Sequence, residues 1–369
     1  MPRITKIAIT GGPCAGKTTA LARVRETFSR LGPKVITVPE PATELISNGI
    51  TPWECSSTEE YQRCQMEIQL VRERMFERAA AGMDARRVLI VCDRGMLDNR
   101  CYMTEEAFQR VIAELGCTEV GLCDGYGAVF HLVTAAKGAE GSYEIDAGGV
   151  RHESLEEARA LDDCAIESWT GHPHLRVIGN ETDFERKVER LVDEIACFLG
   201  DSAPQGVERR FLVAYPDLAR LEAQPACERV EVVEHHLRSV GGREAIVCSR
   251  MLGGHRAYSL MERQTAGGDA RPRRRYLSER AYHDLLSRAD PECDAVRVTR
   301  YHLTHEGRSY EVDLHPRWDD RAIVRVEPTS PDVPVRLPCG LRVIREMTGD
   351  PGCGGDASLP TARGGLGEG

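Results

Sequence analysis

Ile4-Thr5-Lys6-Ile7-Ala8-Ile9-Thr10-Gly11-Gly12-Pro13-Cys14-Ala15-Gly16-Lys17-Thr18-Thr19 is an apolar run that breaks into a glycine-rich loop. Residues 11–18 match the pattern G-x-x-x-x-G-K-[ST] at every required position. Glycines admit backbone conformations closed to other residues, so successive N–H groups can turn inward toward phosphate oxygens, and a following helix adds its positive end. Gly11, Gly12, Pro13, Cys14, Ala15, Gly16, Lys17, Thr18 and Thr19 are therefore expected to cradle the phosphates of ATP or GTP. Lys17 would reach the β and γ phosphates, and the Thr18 hydroxyl would face Mg²⁺. The context fits, because Ile7, Ala8 and Ile9 read as a buried strand and ALARVRETFSRL from Ala20 repeats apolar residues at helical spacing. The alternative is a glycine-rich turn that binds nothing.

Downstream, Lys34-Val35-Ile36-Thr37-Val38 is short and β-branched, and it empties into Pro39-Glu40-Pro41. A carboxylate at the carboxyl end of a parallel strand faces the ligand crevice, so Glu40 is a candidate base or a ligand of metal-bound water. Its other reading is an acid favoured at a helix start. Ser57 to Ala81 predicts one long helix on which Gln62, Gln65 and Gln69 share a face, fit either to read a base or simply to be solvated. Arg87-Val88-Leu89-Ile90-Val91-Cys92-Asp93-Arg94 then ends an apolar run in an acid, as a Walker B strand does, with Asp93 set to hold Mg²⁺ opposite Thr18. Arg94 would touch a transferring phosphate or pair with a carboxylate.

A further buried strand, residues 128–133, leads into the Gly-rich excursion AAKGAEGSYEIDAGGVRHE, long enough to suggest a functional lid or a disordered segment. Arg151 and Arg159 flank its return to a helix and could close over a γ-phosphate. The last strand of this half, around residues 172–180, delivers Asn180 and Asp183. Asp183 reads first as a helix N-cap. Its sharper reading is base recognition, because a carboxylate accepts two hydrogen bonds that guanine supplies and adenine does not. His172 and His174 lack an acid or cysteine partner and read as structural.

At 369 residues the chain has room for two or three domains, and its 41% hydrophobic and 29% charged content is that of a globular protein. The net charge of −10 argues against general nucleic-acid binding. No apolar run approaches a transmembrane length, and a cytoplasmic location is expected. The fourteen cysteines are scattered without C-x-x-C spacing, so buried thiols are expected rather than disulfides.

Beyond a linker at 201–206 the period changes. VERRFLV, RVEVVEHHL, EAIVCSRML, RAYSLMER, DAVRVTRYHL, RSYEVDLH and AIVRVEP alternate charged and apolar residues. A closed barrel with a polar interior would show this pattern, and so would an antiparallel sheet with one wet face. From about Gly349 the composition is that of a disordered tail.

GGPCAGKTT, VPEPATELI, VCDRG, GAEGSYEIDAGGVRHESLEEARALD and HPHLRVIGNETDFERKVERL together resemble the AAA-type P-loop domain of the TRPL translocation defect protein family, over about the first 200 residues. That family is similar to nucleoside and ribosylnicotinamide kinases. The resemblance implies Glu40 as base, Thr18 and Asp93 as magnesium ligands, and GTP as a nucleotide. The second half resembles the CYTH domains of triphosphate tunnel enzymes. By that resemblance Glu208, Glu231, Asp313 and Glu327 would point to metal, and Arg210, Arg250, Arg275 and Arg300 to a phosphoinositide, polyphosphate or other phosphorylated small molecule. Gly206, Arg210 and Arg325 depart from the CYTH pattern of acids and lysine, which favours polyanion binding over metal-dependent hydrolysis.

The expected fold is an α/β P-loop NTPase unit with a parallel, kinase-like sheet over residues 1–200. An α+β CYTH-like antiparallel barrel follows over 207–338, then a disordered tail over 349–369. The expected function is Mg²⁺-dependent nucleotide binding and hydrolysis coupled to a polyanion-binding barrel. A small-molecule kinase and a nucleotide-gated binding module with little turnover are the alternatives.

Overall fold

A computed structural model describes residues 2–143, 153–201, 208–240, 243–264, 273–328, 334–338 and 340–348. Arg151, residues 202–206 of the linker with Gly206 among them, and the tail from 349 lie outside the described residues.

Five strands build the first sheet: β1 (Arg3–Thr10), β2 (Lys34–Val38), β3 (Arg87–Asp93), β4 (Ala128–Leu132) and β5 (Leu175–Ile178). They pair in the order β2-β3-β1-β4-β5, every pair parallel. Parallel strands need crossovers, and these are helical. α1 (Lys17–Leu31) and α7 (Phe184–Leu199) cover one face around Ile7, Ile9, Phe28 and Leu191. α3 (Thr58–Ala81), α4 (Glu105–Glu114) and α6 (Leu155–Trp169) lie with the other, around Ala8, Ile90, Phe108 and Trp169. Ser57, Thr104, Ser154 and Asp183 each accept a backbone N–H at a helix start, which is why these helices begin where they do. Three short pieces escape the sequence patterns: α2 (Pro41–Ser47), a 3-10 turn at Met96–Tyr102, and α5 (Glu119–Cys123).

All three glutamines of α3 are buried, and Gln65 and Gln69 are taken up by protein partners. Gln65 Nε2 donates to Asn99 Oδ1 at 2.9 Å, Asn99 Nδ2 to Gln69 Oε1 at 3.2 Å, and Gln69 Nε2 to Glu73 Oε1 at 3.1 Å. This buried chain ties α3 to the 3-10 turn, and each amide is spent on its neighbour.

The second sheet is antiparallel, with nine strands. They are β6 (Arg209–Ala214), β7 (Cys227–Val240), β8 (Arg243–Leu252), β9 (His255–Gln264), β10 (Arg273–Leu277), β11 (Val296–His305), β12 (Arg308–Leu314), β13 (Arg321–Val326) and β14 (Val343–Glu346). Their order is β10-β9-β8-β7-β11-β12-β13-β6-β14. β10 and β14 were not read from the sequence as strands, and β14 extends the sheet beyond residue 338. Phe211, Tyr301, Val312 and Val324 pack on one face with Leu221 of α8 (Leu218–Glu222). Leu237, Val247 and Leu260 pack under Tyr282 of α9 (Glu279–Leu286).

The opposite face meets the first half. Val120 of α5 packs with Val230, Val232 and Leu252, and Ser309 Oγ donates to Leu175 O at 3.1 Å. No helix among the described residues is long and apolar enough to cross a membrane.

Candidate nucleotide-binding site

The loop between β1 and α1 has the backbone that its sequence demands. Gly11 has φ +145°, and a Cβ there would lie 2.2 Å from Leu132 O. Gly16 has φ +84°, and its Cβ would strike the Phe184 ring at 2.3 Å. Only glycine fits either place. Cys14 also has positive φ, at 54°. Thr18 and Thr19 are exposed at the first turn of α1.

Lys17 Nζ donates to Gly11 O at 2.9 Å and Gly12 O at 3.1 Å. Burial first, then the nearby Arg94 guanidinium, push its pKa down to about 8. Asp93, at the carboxyl end of β3, shows the reverse: burial and then Glu40 push its carboxyl up to about 6. Its Oδ1 is buried and has no hydrogen-bond partner. Arg94 also sits in the left-handed region, φ 66°, a strained conformation for a long side chain. Its Nε lies 2.6 Å from Glu40 Oε1, and its Nη1 donates to Gly11 O at 3.3 Å. Burial opposes the Arg94 charge, but Glu40 and the acids around it hold the guanidinium protonated. Lys17, Glu40, Asp93 and Arg94 are thus brought into one cluster at the mouth of the loop.

The loop is held from behind by residues that the sequence did not single out. Asp162, wholly buried on α6, accepts from Gly12 N at 3.0 Å, Thr134 N at 2.9 Å and Lys137 Nζ at 2.9 Å, and its Oδ1 lies 3.0 Å from His131 Nε2. Burial opposes its charge, but His131 and Lys137 together hold the carboxyl well below the usual range. Lys187, 3% exposed, donates to Val133 O at 2.6 Å, Asn180 Oδ1 at 2.7 Å and Ala15 O at 3.3 Å. Burial pushes its pKa down to about 8. A buried acid 150 residues from the loop has no local sequence signal.

Asn180 donates to Thr134 O and Lys137 O at 2.8 and 2.7 Å, so its amide braces the turn that follows β4. Asp183 caps α7 by accepting from Arg186 N at 2.9 Å. Arg159 does not reach toward the loop: its Nε donates to Ala136 O at 2.6 Å and its Nη2 to Glu140 Oε1 at 3.0 Å.

The metal and polyanion residues expected on the second sheet are not brought together as a set. Register places Arg210, Arg250, Arg300 and Asp313 on one face, but Arg275 and Glu231 on the other. Strand side chains alternate, so a shift of one residue decides the face, and Arg274 rather than Arg275 lies on the side of Arg300. Glu231 instead takes Arg229 at 2.6 Å and Thr299 at 3.2 Å. Glu327 pairs with Arg176 of β5, and Glu208 with Arg210 at 2.6 Å. Arg250 is turned into the first half, where it pairs with Asp124 and donates to Gly171 O at 2.9 Å.

What remains is a buried charge cluster. Arg300 makes two hydrogen bonds to Asp313, at 2.7 and 3.0 Å, and lies 3.4 Å from Glu311 and 4.0 Å from Glu234. Arg325, noted in the sequence only as a missing acid, pairs with Asp313 and lies 3.3 Å from Glu311. Burial pushes His302 beside them down to about 4. Among the described residues no group of three or more His, Cys, Asp or Glu is placed to hold a metal.

Two kinds of similarity accompany this geometry. A solved structure described as the hypothetical protein NE1496 is 22% identical, over 40% of this chain and 91% of that one, with a TM-score of 0.27. A structure of the inorganic triphosphatase NE1496 is 21% identical, over 40% of this chain and 88% of that one, with a TM-score of 0.26. No curated protein matches the chain. A family model described as an AAA domain matches residues 6–187, the stretch that contains the loop, Glu40, Asp93, Asp162 and Asn180.

Proposed function

We propose that the first half binds a nucleoside triphosphate with Mg²⁺ at the Gly11–Thr18 loop and hydrolyses it, and that the charged face of the second sheet binds a polyanion. The observation that carries the nucleotide reading is Asp93. A carboxylate oxygen kept buried and unpartnered beside Lys17, with its pKa pushed up to about 6, is unfavourable unless a cation joins it. Asp93 and the exposed Thr18 hydroxyl fit a magnesium ion, whose charge would offset that of the β and γ phosphates. The loop N–H groups and Lys17 would bind the phosphates, and Arg94 is close enough to Gly11 to meet a transferring group. The AAA-domain match and the resemblance to the TRPL family support the same reading.

A kinase reading is favoured by one further set of contacts. Glu40 stands at the mouth of the loop, and on the first turn of α3 the Tyr61 hydroxyl and Gln62 Oε1 are buried without hydrogen-bond partners. Those groups would suit an acceptor molecule bearing hydroxyls. Nucleotide turnover measured with ATP and with GTP, alone and with a panel of nucleosides, tests both readings. Turnover without acceptor supports hydrolysis, and turnover only with an acceptor supports the kinase. Mg²⁺-independent binding without turnover in any arm would leave the gated binding module.

A further inference from the structure

A cavity of about 720 Å³ opens between the two halves, at the carboxyl ends of β4 and β5. Open parallel sheets take their ligands at that end of their strands, and the volume is that of a small-molecule pocket. Ile166 of α6 and Val177 of β5 supply apolar lining from the first half. The second half lines it with Ala226, Thr304, Glu306 and Gly307.

The wall from the second half is held in place on both sides. His305 and Arg308 pair across the two-residue turn Glu306-Gly307, whose residues have φ 47° and 68°, the left-handed pair that a tight hairpin between twisted strands requires. Thr304 N donates to Ala226 O at 3.0 Å, which ties the residue before β7 to β11. Toward the first half, Thr304 Oγ1 lies 3.3 Å from Thr170 Oγ1, and a Cβ on Gly307 would lie 3.9 Å from Val177 Cγ1.

The wall from the first half is hydrogen-bonded to the glycine-rich loop. Lys137, which lines the cavity, donates to Asp162 at 2.9 Å, and Asp162 accepts from Gly12 N at 3.0 Å. Asn180, also in the lining, accepts from Lys187 at 2.7 Å, and Lys187 donates to Ala15 O at 3.3 Å. The lining carries more acid than base, with Asp163, Glu167, Glu181 and Glu306 against Lys137. Lys137 takes Asp163 at 2.6 Å and Arg190 takes Glu181 at 3.3 Å, so Glu167 and Glu306, one from each half, are the acceptors presented to a ligand. Burial and then Asp163 push the Glu167 carboxyl up, as expected of acids crowded around one space. Phosphates are repelled by such a lining, whereas a neutral, flat group rich in N–H and O–H donors is favoured.

We propose that this cleft takes the base and ribose of a nucleotide whose phosphates lie on the glycine-rich loop, so that the second half contributes directly to nucleoside recognition. The inference rests on the nucleotide reading above. Amino and ring N–H groups of the base would donate to Glu167 and Glu306, and Ile166, Val177 and Ala226 would pack on its apolar faces. A nucleotide bound this way touches both halves.

The test is photolabelling of the full chain with 8-azido-GTP and 8-azido-ATP in the presence of Mg²⁺, followed by peptide mapping. The expected result is label on residues 225–226 or 304–307 of the second half as well as on the first half, displaced by the unmodified nucleotide. Label confined to the first half overturns the proposal, and this readout uses the parent chain, so it does not depend on how any variant folds. Calorimetry supplies a second readout. Ala226→Trp fills the cleft and should weaken nucleotide binding by about tenfold or more, while Ala226→Ser should stay within about threefold of the parent. Equal affinity of the tryptophan variant and the parent overturns the proposal. A parent chain that binds no nucleotide overturns the nucleotide reading and the cleft together. Binding that is lost in Lys17→Ala, with no label on the second half, overturns the cleft alone.

Discussion

Arg94 Nε lies 2.6 Å from Glu40 Oε1, and Arg94 holds this position from a backbone φ of +66°. Strand ends β2 and β3 are adjacent in the sheet, so the pair joins Glu40 to the residue after Asp93. The Glu40 carboxylate is thereby oriented rather than free to swing, and the strain at Arg94 is retained at the mouth of the phosphate loop. If Glu40 is a base, Glu40→Gln should lower acceptor-dependent turnover by about 10²- to 10⁴-fold and leave nucleotide affinity within about threefold. Steady-state rates and calorimetry on the same variant check both halves. A variant with normal turnover removes Glu40 from the chemistry.

Lys17→Ala should weaken nucleotide binding by about 3 kcal/mol or more, because an ammonium that donates toward the phosphates is lost while their charge stays. Unchanged affinity by calorimetry would sink the phosphate-loop assignment.

Asp93→Asn should remove Mg²⁺-dependent turnover yet stabilise the chain when no nucleotide is added. Burial and Glu40 raise the Asp93 carboxyl from near 4 in an unfolded chain to about 6. Folding therefore favours the protonated form. That contribution is fully present below pH about 4 and is lost as the pH rises through about 6. An asparagine does not ionise, so the variant should gain on the parent across this window, by about 2 to 3 kcal/mol at neutral pH. Urea unfolding at pH 4 and pH 7.5 measures it. A difference independent of pH would show that Asp93 is not held as a costly anion.

Asp162→Ala should destabilise the chain by about 3 to 5 kcal/mol, since it leaves the buried Gly12 and Thr134 N–H groups without their acceptor and Lys137 with Asp163 alone. Here the folded carboxyl is depressed, so its contribution is present above the unfolded value near 4 and lost as the pH falls further. The parent should therefore lose more stability than the variant below pH 4. Parallel acid titrations by circular dichroism would show this, and identical acid limbs would contradict it.

Asp313→Asn should tighten tripolyphosphate binding by about tenfold, whereas Arg300→Ala should abolish it. In the parent chain Asp313 occupies Arg300 and Arg325, and an incoming polyanion has to displace it. Titration of the full chain, with and without chelator, reads both effects. Affinity unmoved by either substitution would place polyanion binding away from this face.

The Gly11–Thr18 loop was legible because its requirements are local: a strand, two glycines at fixed places, a lysine and a helix start follow one another along the chain. The helix cap at Asp183, and the antiparallel character of the second half, were legible for the same reason, through capping and period-two alternation. The partners of charged groups were not. Asp162 reaches Gly12 across 150 residues, and Arg250 meets Asp124 across 126. Gln62, Gln65 and Gln69 share a helix face by spacing alone, but only packing against Asn99 decided that the face is buried. On the second sheet, composition supplied the arginines and acids, while register assigned them to faces, sending Arg275 and Glu231 away from Arg300 and bringing in Arg325. Sequence therefore determined the elements and the glycine-rich loop between β1 and α1, whose physics is short-range. Tertiary structure decided which charges neutralise one another, because that depends on where distant strands and helices place their side chains.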